Sequence, residues 1–160
     1  MSTAELDPAH FRELLGRFAT GVTVLTVATS EGKPLGMTAN SLTSVSLHPP
    51  LISVCIDREA ELHDVIINAS KFVVNVLRSP QEELARRFSD KHEDRFDGIG
   101  YHSNPEGLIL LDGVIAHLIC ERYGEYPGGD HTIVLGQVVA GTTYEGHPLL
   151  FYRGGYAALG

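Results

Sequence analysis

The chain reads Val22-Thr-Val-Leu-Thr-Val-Ala-Thr29 and continues with Ser30-Glu-Gly-Lys-Pro34. The first run is rich in β-branched residues, which favour strands. The second contains the Gly and Pro that favour tight turns. A strand over Leu35–Met37 would therefore fold back on the first as an antiparallel hairpin.

Short apolar runs separated by turn residues extend this pattern along the chain. The predicted strands are Ser41–Leu47, Leu51–Ile56, Phe72–Leu77, Val114–Arg122, Ile133–Tyr144 and a short last one at Leu149–Tyr152. The regular strand–helix alternation of a doubly wound parallel sheet is absent. We therefore expect one domain over residues 1–160, mainly β with α decoration, in the form of an antiparallel β-barrel.

The first of three predicted helices lies near the N-terminus. Asp7 can cap it, Pro8 suits its first position, and Gly21 ends the segment. Its apolar residues recur at helical spacing and predict a single apolar face: Phe11, Leu14, Leu15 and Phe18.

Two more helices are predicted in the middle of the chain. One spans Glu61–Ser70, where apolar residues follow helical spacing. The other opens with the capping box Ser79-Pro80-Gln81-Glu82 and runs through Phe88. The polar stretch that follows, residues 89–107, is predicted to be a long surface loop.

Composition and charge exclude several classes of function. The 160 residues carry a net charge of −8, and the densest basic site is the pair Arg86-Arg87, which argues against nucleic acid as a partner. No apolar run approaches the length of about 20 residues that crosses a bilayer. The first residues lack the pattern of a signal peptide, and the two cysteines suggest reduced thiols, so we expect a cytoplasmic protein.

Common catalytic motifs are missing. The sequence contains no GxGxxG after a strand, no P-loop and no GxSxG elbow. Its eight histidines include no HExxH or HxH, and Cys55 and Cys120 are far apart in sequence, so we expect no metal site.

Gly36-Met-Thr-Ala-Asn-Ser-Leu-Thr-Ser-Val-Ser46 is unusually rich in hydroxyl side chains. In an extended strand alternate residues share a face, so Ser44 and Ser46 would lie on one side, opposite Thr43 and Val45. Small hydroxyls and backbone N–H groups can hold an anionic or heteroaromatic ligand. An ordinary Thr-rich edge strand is the alternative interpretation.

An ordered set of motifs resembles the flavin reductase family, the small reductase components of two-component flavin-dependent monooxygenases. The motifs cover nearly the whole chain: Phe18–Val24, Gly36–Ser46, Pro49–Leu51, Val54–Asp57, Phe72–Leu77, Leu84–Phe88, Gly129–His131, Gly136–Val138 and Pro148–Arg153. The resemblance implies a flavin-binding split β-barrel and a homodimer with flavin sites near the subunit interface. It also implies hydride transfer from NADH or NADPH to FMN or FAD, and delivery of the reduced flavin to a partner monooxygenase.

The resemblance also assigns candidate site residues. Thr38, Ala39, Asn40 and Ser41 would line the isoalloxazine and ribityl part of the flavin, and Ser44, Val45 and Ser46 would continue that wall. Cys55, Ile56, Asp57 and Arg58 would follow the ribityl phosphate, with Arg58 as its counter-charge, and Phe88 would approach the flavin from its helix. Gly129, Asp130 and His131 would face the nicotinamide, with Tyr152 and Arg153 nearby and His131 as the candidate catalytic residue.

Several of these assignments have a structural alternative. Cys55 fits a buried small residue, Phe88 fits a helix core, and Asp130-His131 fits a plain loop tip. A non-catalytic flavin-binding module for storage or sensing is the alternative function. Apolar strand faces around Val22–Val27 and Phe72–Leu77 predict surface left over for a second subunit. Nothing in the sequence separates FMN from FAD, or NADH from NADPH.

Overall fold

The computed structural model describes residues 4–90 and 94–160. The helices are α1 (Pro8–Gly16), α2 (Leu62–Asn68) and α3 (Glu82–Ser89). The strands are β1 (Thr20–Gly21), β2 (Thr23–Ala28), β3 (Pro34–Ala39), β4 (Thr43–Leu47), β5 (Pro50–Asp57), β6 (Lys71–Val76), β7 (Tyr101–Ser103), β8 (Ile109–Leu111), β9 (Ala116–Gly128), β10 (His131–Thr143), β11 (Leu149–Tyr152) and β12 (Gly155–Ala158).

Seven strands form the main antiparallel sheet in the order β3-β2-β6-β9-β10-β5-β4. The predicted hairpin over residues 22–37 is confirmed as β2 and β3, which pair from Thr23–Ala39 to Ala28–Pro34. Within the described residues β3 pairs only with β2 and β4 only with β5, so the sheet curls but does not close. The expected barrel is therefore a split one, with a seam between its two edge strands.

The core lies on both faces of β2. Leu25 and Val27 pack in a cluster with residues of β5 and β6, whereas Val22 and Val24 pack in a second cluster with Phe88. Burial on both faces explains why neighbouring positions of this run, and not only alternate ones, carry apolar side chains. It also shows that one reason for expecting a dimer was wrong, because the apolar faces of residues 22–27 and 72–77 are buried within a single chain.

α1 begins as predicted but ends early. The Asp7 carboxylate accepts a hydrogen bond from the N–H of Ala9 at 3.1 Å. The helix ends at Gly16, and Thr20–Gly21 forms β1, paired with β11, where the sequence predicted only the end of the helical segment. None of its residues is buried, so its apolar face lies open in the single chain.

The capping box predicted at residues 79–82 is wrong. Ser79 lies in a turn and donates its N–H to the carbonyl of His147, and α3 begins at Glu82 with Gln81 as its cap residue. The Gln81 side chain instead accepts from the N–H of Arg78 at 2.7 Å. The backbone hydrogen bond from Ser79 to His147 thus outweighs the local capping pattern.

In the described part of the chain, no helix has both the length and the apolar character needed to span a bilayer.

The predicted loop over residues 89–107 contains more structure than its polarity suggested. Tyr101–Ser103 forms β7, which pairs with β8. Phe96 makes edge contacts with Phe88 and Tyr101 at ring-centroid distances of 5.0 and 5.2 Å, which anchors the segment on the core. Part of the predicted loop, residues 91–93, falls outside the described residues.

A buried histidine links β9 to its neighbours. The Nε2 of His117 lies 2.8 Å from the Leu111 carbonyl, and its Nδ1 lies 3.2 Å from the Tyr144 hydroxyl. Burial lowers the pKa of His117 below its ordinary value of 6.5. The neutral imidazole, donating through Nε2 and accepting through Nδ1, satisfies both partners.

This pKa predicts an acid-sensitive fold. The unfolded chain takes up a proton at His117 at a higher pH than the folded chain does, so the free energy of unfolding should fall as the pH drops below 6.5. Urea titrations at about pH 7.5 and about pH 5.5 measure this difference. His117→Gln should show a smaller pH difference than the unmodified chain, and an equal difference would contradict the assignment.

Candidate functional site

The pairing of β4 with β5 stops before the C-terminal end of β5. β4 pairs with β5 only from Leu47–Pro50 to Thr43–Ser53. Beyond Ser53, the Ser41 hydroxyl takes the place of a strand, accepting from the N–H of Cys55 at 2.9 Å. A gap therefore remains between β3 and the last residues of β5.

A cleft of about 810 Å³ lies at this gap. Its lining comes from β3, the end of β5, the start of α2 and the end of α3: Met37, Thr38, Asp57, Glu59, Ala60, Glu61, Leu62, Phe88, Ser89 and Arg95. A smaller hollow of about 210 Å³ shares Thr38 and Ser89 and adds Asn40. The volume falls in the range of sites for drug-sized ligands and cofactors.

The hydroxyl-rich segment contributes fewer free donors than its sequence suggested. Thr38 donates its hydroxyl hydrogen to the Ala85 carbonyl at 2.7 Å, so toward a ligand it can only accept. The Ser41 hydroxyl is engaged by Cys55, and Ala39 is buried. Of the four positions 38–41, Thr38 and Asn40 line the cavities.

Phe88 forms the floor of the cleft from within the core. Its ring is only 1% exposed and packs in the cluster with Val22 and Val24. A Cβ at Gly36 would lie 2.8 Å from the Phe88 ring, so only glycine allows β3 to approach α3 this closely. The Phe88 ring is therefore part of the core beneath the cleft, and its contact with a flavin stays a prediction.

The end of β5 and the turn before β10 come together. His131 pairs with Asp57 in the sheet, and the Arg58 N–H donates to the Asp130 carbonyl at 3.1 Å. The residues assigned to the flavin phosphate (55–58) and those assigned to the nicotinamide (129–131) are thus neighbours, because β5 and β10 are adjacent strands. The sequence alone could not show this pairing.

His131 is held by the residue before it. Its Nδ1 lies 2.6 Å from an Asp130 carboxylate oxygen, and this hydrogen bond lowers the pKa of Asp130 below 3.8. The imidazole is about 40% exposed, so part of the ring remains free for a ligand. With Nδ1 occupied, Nε2 is the nitrogen left to meet one.

The prediction that Ser44 and Ser46 share a face is wrong. Ser44 pairs with Ile52 but Ser46 pairs with the adjacent Leu51, which places a bulge at Val45. Neighbouring strand residues point to opposite faces, so the two serines do too. Ser44 also lies opposite Ile52, which is five residues before Asp57 in β5. Five residues of strand span about 17 Å, so Ser44 lies about that far along the sheet from the cleft residue Asp57.

This geometry predicts unequal effects at the two serines. If this segment forms part of the flavin wall, replacing one of them with leucine should weaken flavin binding, because its added volume enters the wall. The other substitution should leave flavin affinity unchanged, since that side chain faces away. Flavin fluorescence titrations of Ser44→Leu and Ser46→Leu test this, and equal weakening by both would contradict the bulge.

Other candidate residues lie away from the cleft. Ile56 is fully buried in the core, so only its backbone could meet a ligand, and the Cys55 thiol is half-buried on the strand. Tyr152 and Arg153 sit at the β11–β12 turn, where the Arg153 N–H donates to the Gly16 carbonyl at 2.8 Å. In the described chain the Arg153 backbone thus bonds to α1, and Tyr152 pairs with Gly155 of β12.

The cleft also includes residues that sequence reasoning missed. They are Met37, Glu59, Ala60, Glu61, Leu62, Ser89 and Arg95. Arg95 comes from the segment that polarity had marked as loop, and it donates to the Gly36 carbonyl at 2.8 Å. No local pattern marks these positions, because the fold brings them together from separate elements.

Metal ligation finds no support in the described ranges 4–90 and 94–160. No group of three or more His, Cys, Asp or Glu side chains there is arranged to hold a metal ion.

Comparison with known proteins gives the same family at the level of sequence and of structure. The flavin reductase like domain matches residues 15–160. A flavin reductase of Pseudomonas putida is 41% identical over 94% of this chain and 89% of its own length. The reductase subunit HsaB of a flavin-dependent monooxygenase from Rhodococcus jostii is 37% identical over 96% of this chain and 79% of its own.

A solved structure extends the likeness to three dimensions. The NADH:FAD oxidoreductase SgcE6 of Streptomyces globisporus, in complex with NAD and FAD fragments, has a TM-score of 0.91 and 42% identity to this chain and covers 98% of each. The resemblance drawn from the ordered motifs is confirmed. The chain belongs to the flavin reductase family.

Proposed function

We propose that the protein uses NADH or NADPH to reduce FMN or FAD and supplies the reduced flavin to a partner monooxygenase. It is an enzyme of the oxidoreductase class. The observation that carries the proposal is the family match over residues 15–160. Relatives named as reductases, among them subunits of monooxygenases, support this function over flavin storage.

The residues of the cleft fit a flavin. The apolar side chain of Met37 suits a planar ring, and the Thr38 oxygen is free to accept a hydrogen bond from it. Leu62 is only 2% exposed and supports the wall from the core. Arg58, the residue after β5, is not part of the cleft lining, and its exposed side chain would balance a phosphate that extends beyond the cleft. Bound there, the flavin supplies the hydride-accepting chemistry.

The chain itself would act by positioning. Asp130 fixes the imidazole of His131 through Nδ1, which leaves Nε2 to hold the carboxamide side of a nicotinamide. The backbone bond between Arg58 and Asp130 keeps this turn against the end of β5. Aligned contact between the two ring systems contributes more to the rate than acid–base groups would, since hydride transfer needs none from the protein.

A spectrophotometric assay tests the proposal. NADH or NADPH oxidation is followed with FMN, with FAD and without flavin. We expect oxidation that depends on both protein and flavin. Flavin binding without faster oxidation would identify a storage or sensing module instead.

We also propose that the protein is a homodimer. Five large apolar side chains of and around α1 are at least half exposed, although the helix has a regular apolar face: Leu6, Phe11, Leu14, Leu15 and Phe18. A second copy of the chain would bury this face.

A cytoplasmic location suits the two free cysteines, since thiols persist in reducing compartments.

Substitution on α1 should separate the subunits. Leu14→Glu places a charge in the proposed contact at a position already exposed in one chain, so the fold should survive. Light scattering should give about twice 17.4 kDa for the unmodified protein and about 17.4 kDa for the variant. Leu159→Glu, also at an exposed leucine, is the matched control and should keep the larger mass. A single-chain mass before substitution would refute the dimer.

A further inference from the structure

A second histidine, His63, lies next to the proposed nicotinamide site. It is the second residue of α2, and its ring is buried. Its Nδ1 lies 2.9 Å from Asp64 Oδ1, and its Nε2 lies 2.8 Å from the Thr132 hydroxyl. Because a carboxylate only accepts, Nδ1 carries a hydrogen, and Nε2 bonds to the Thr132 hydroxyl, which can both donate and accept.

Thr132 is the residue after His131 in β10. It pairs with Ile56 on one side and with Pro127 on the other. Successive strand residues point to opposite faces. His63 therefore bonds to Thr132 on the core side of β10, whereas the His131 side chain projects from the other side. A bond that fixes Thr132 therefore also fixes the backbone from which His131 projects.

α2 makes this bond relevant to the cleft. The residues just before His63, Glu59–Leu62, form one wall of the cleft. The bond from His63 to Thr132 thus ties the start of α2 to the strand that carries His131. On the far side, the Arg58 N–H holds the same turn through the Asp130 carbonyl.

We propose that His63 is a positioning residue for reduction by NADH or NADPH, acting through Thr132 on His131. The proposal rests on the proposed function of the turn at residues 129–131. It assigns His63 no contact with substrate, since its ring is buried and both of its nitrogens are engaged within the chain. Loss of the bond should loosen the turn and leave the flavin side of the cleft in place.

Matched substitutions at Thr132 isolate the bond. Thr132→Val keeps the side-chain shape and removes the hydroxyl, whereas Thr132→Ser keeps the hydroxyl. We expect Thr132→Val to raise KM for the nicotinamide about three- to tenfold, the range of one lost hydrogen bond, with the Kd for flavin unchanged. Thr132→Ser should restore most of the loss. Thr142→Val, at an exposed threonine of the same strand, should change neither constant.

The double variant tests whether the two residues act through one bond. His63→Leu should resemble Thr132→Val, and combining them should add little, because the same interaction is already lost. Additive effects, an unchanged KM in Thr132→Val, or an equal rise in flavin Kd would overturn the proposal.

A parallel measurement on His131→Ala separates this proposal from the function itself. An unmodified protein that does not oxidise NADH or NADPH refutes the proposed function. An active protein whose KM is insensitive to His131→Ala but sensitive to Thr132→Val refutes only the route through His131, and with it the role of His63.

Discussion

Replacing Phe88 with alanine is expected to lower the free energy of unfolding by about 3–5 kcal/mol, the usual range for removing a large buried aromatic side chain. The ring is 1% exposed and joins α3 to β2 and to Phe96. Its removal leaves a cavity that the rigid strands cannot fill. The floor of the cleft should collapse or loosen at the same time.

Urea denaturation measures the stability of this variant, and flavin titration measures the effect on the site. Phe88→Leu, which keeps much of the volume, should lose considerably less stability. Phe96→Ala removes the half-buried partner ring and should fall between the two. A Phe88→Ala protein of nearly unchanged stability but without flavin affinity would show that the ring serves the ligand and not the core.

Replacing His131 with alanine is expected to reduce kcat/KM for NADH or NADPH far more than flavin affinity. Loss of one neutral hydrogen bond or stacking contact costs about 0.5–1.5 kcal/mol in binding. A displacement of about 1 Å between the reacting rings can lower the rate by a further hundredfold. Because hydride transfer needs no proton from this side chain, activity should fall without vanishing.

Steady-state kinetics with varied nicotinamide, next to flavin titrations, separates the two effects. Asp130→Asn keeps a side chain of similar size but loses the charged hydrogen bond to Nδ1, and it should give a weaker form of the same defect. Should His131→Ala lose flavin affinity and keep normal nicotinamide kinetics, His131 would belong to the flavin side of the site.

Local sequence patterns predicted most elements of the fold. The β-branched run at Val22–Thr29 and its turn residues gave the correct hairpin, because strand and turn propensities agree there. β9 extends beyond the predicted Arg122 to Gly128. The sequence did not predict this outer part of the hairpin because most of its positions are exposed and show no alternation of apolar and polar residues. Short strands such as β12, with four residues, offer even fewer positions in which such an alternation could be recognised.

Long-range features of the site could not be predicted from the residues alone. The bulge at Val45 places Ser46 on the face opposite Ser44, and a single inserted residue leaves no periodic signal. The pairing of His131 with Asp57 depends on which strands are neighbours. Ordered motifs indicated both segments, but only through their resemblance to a family.

The seam between β3 and β4 bears on how fast a ligand can leave. In a closed barrel, widening the wall breaks rungs of a backbone ladder. Here no ladder joins the two edge strands in the described chain, and the Asn40–Leu42 link connects them at one corner. A bound planar molecule could therefore depart by small breathing motions of side chains, without the slow local unfolding that opens a sheet. Such a site favours rapid exchange over long residence, which suits the proposed delivery of reduced flavin to a partner monooxygenase.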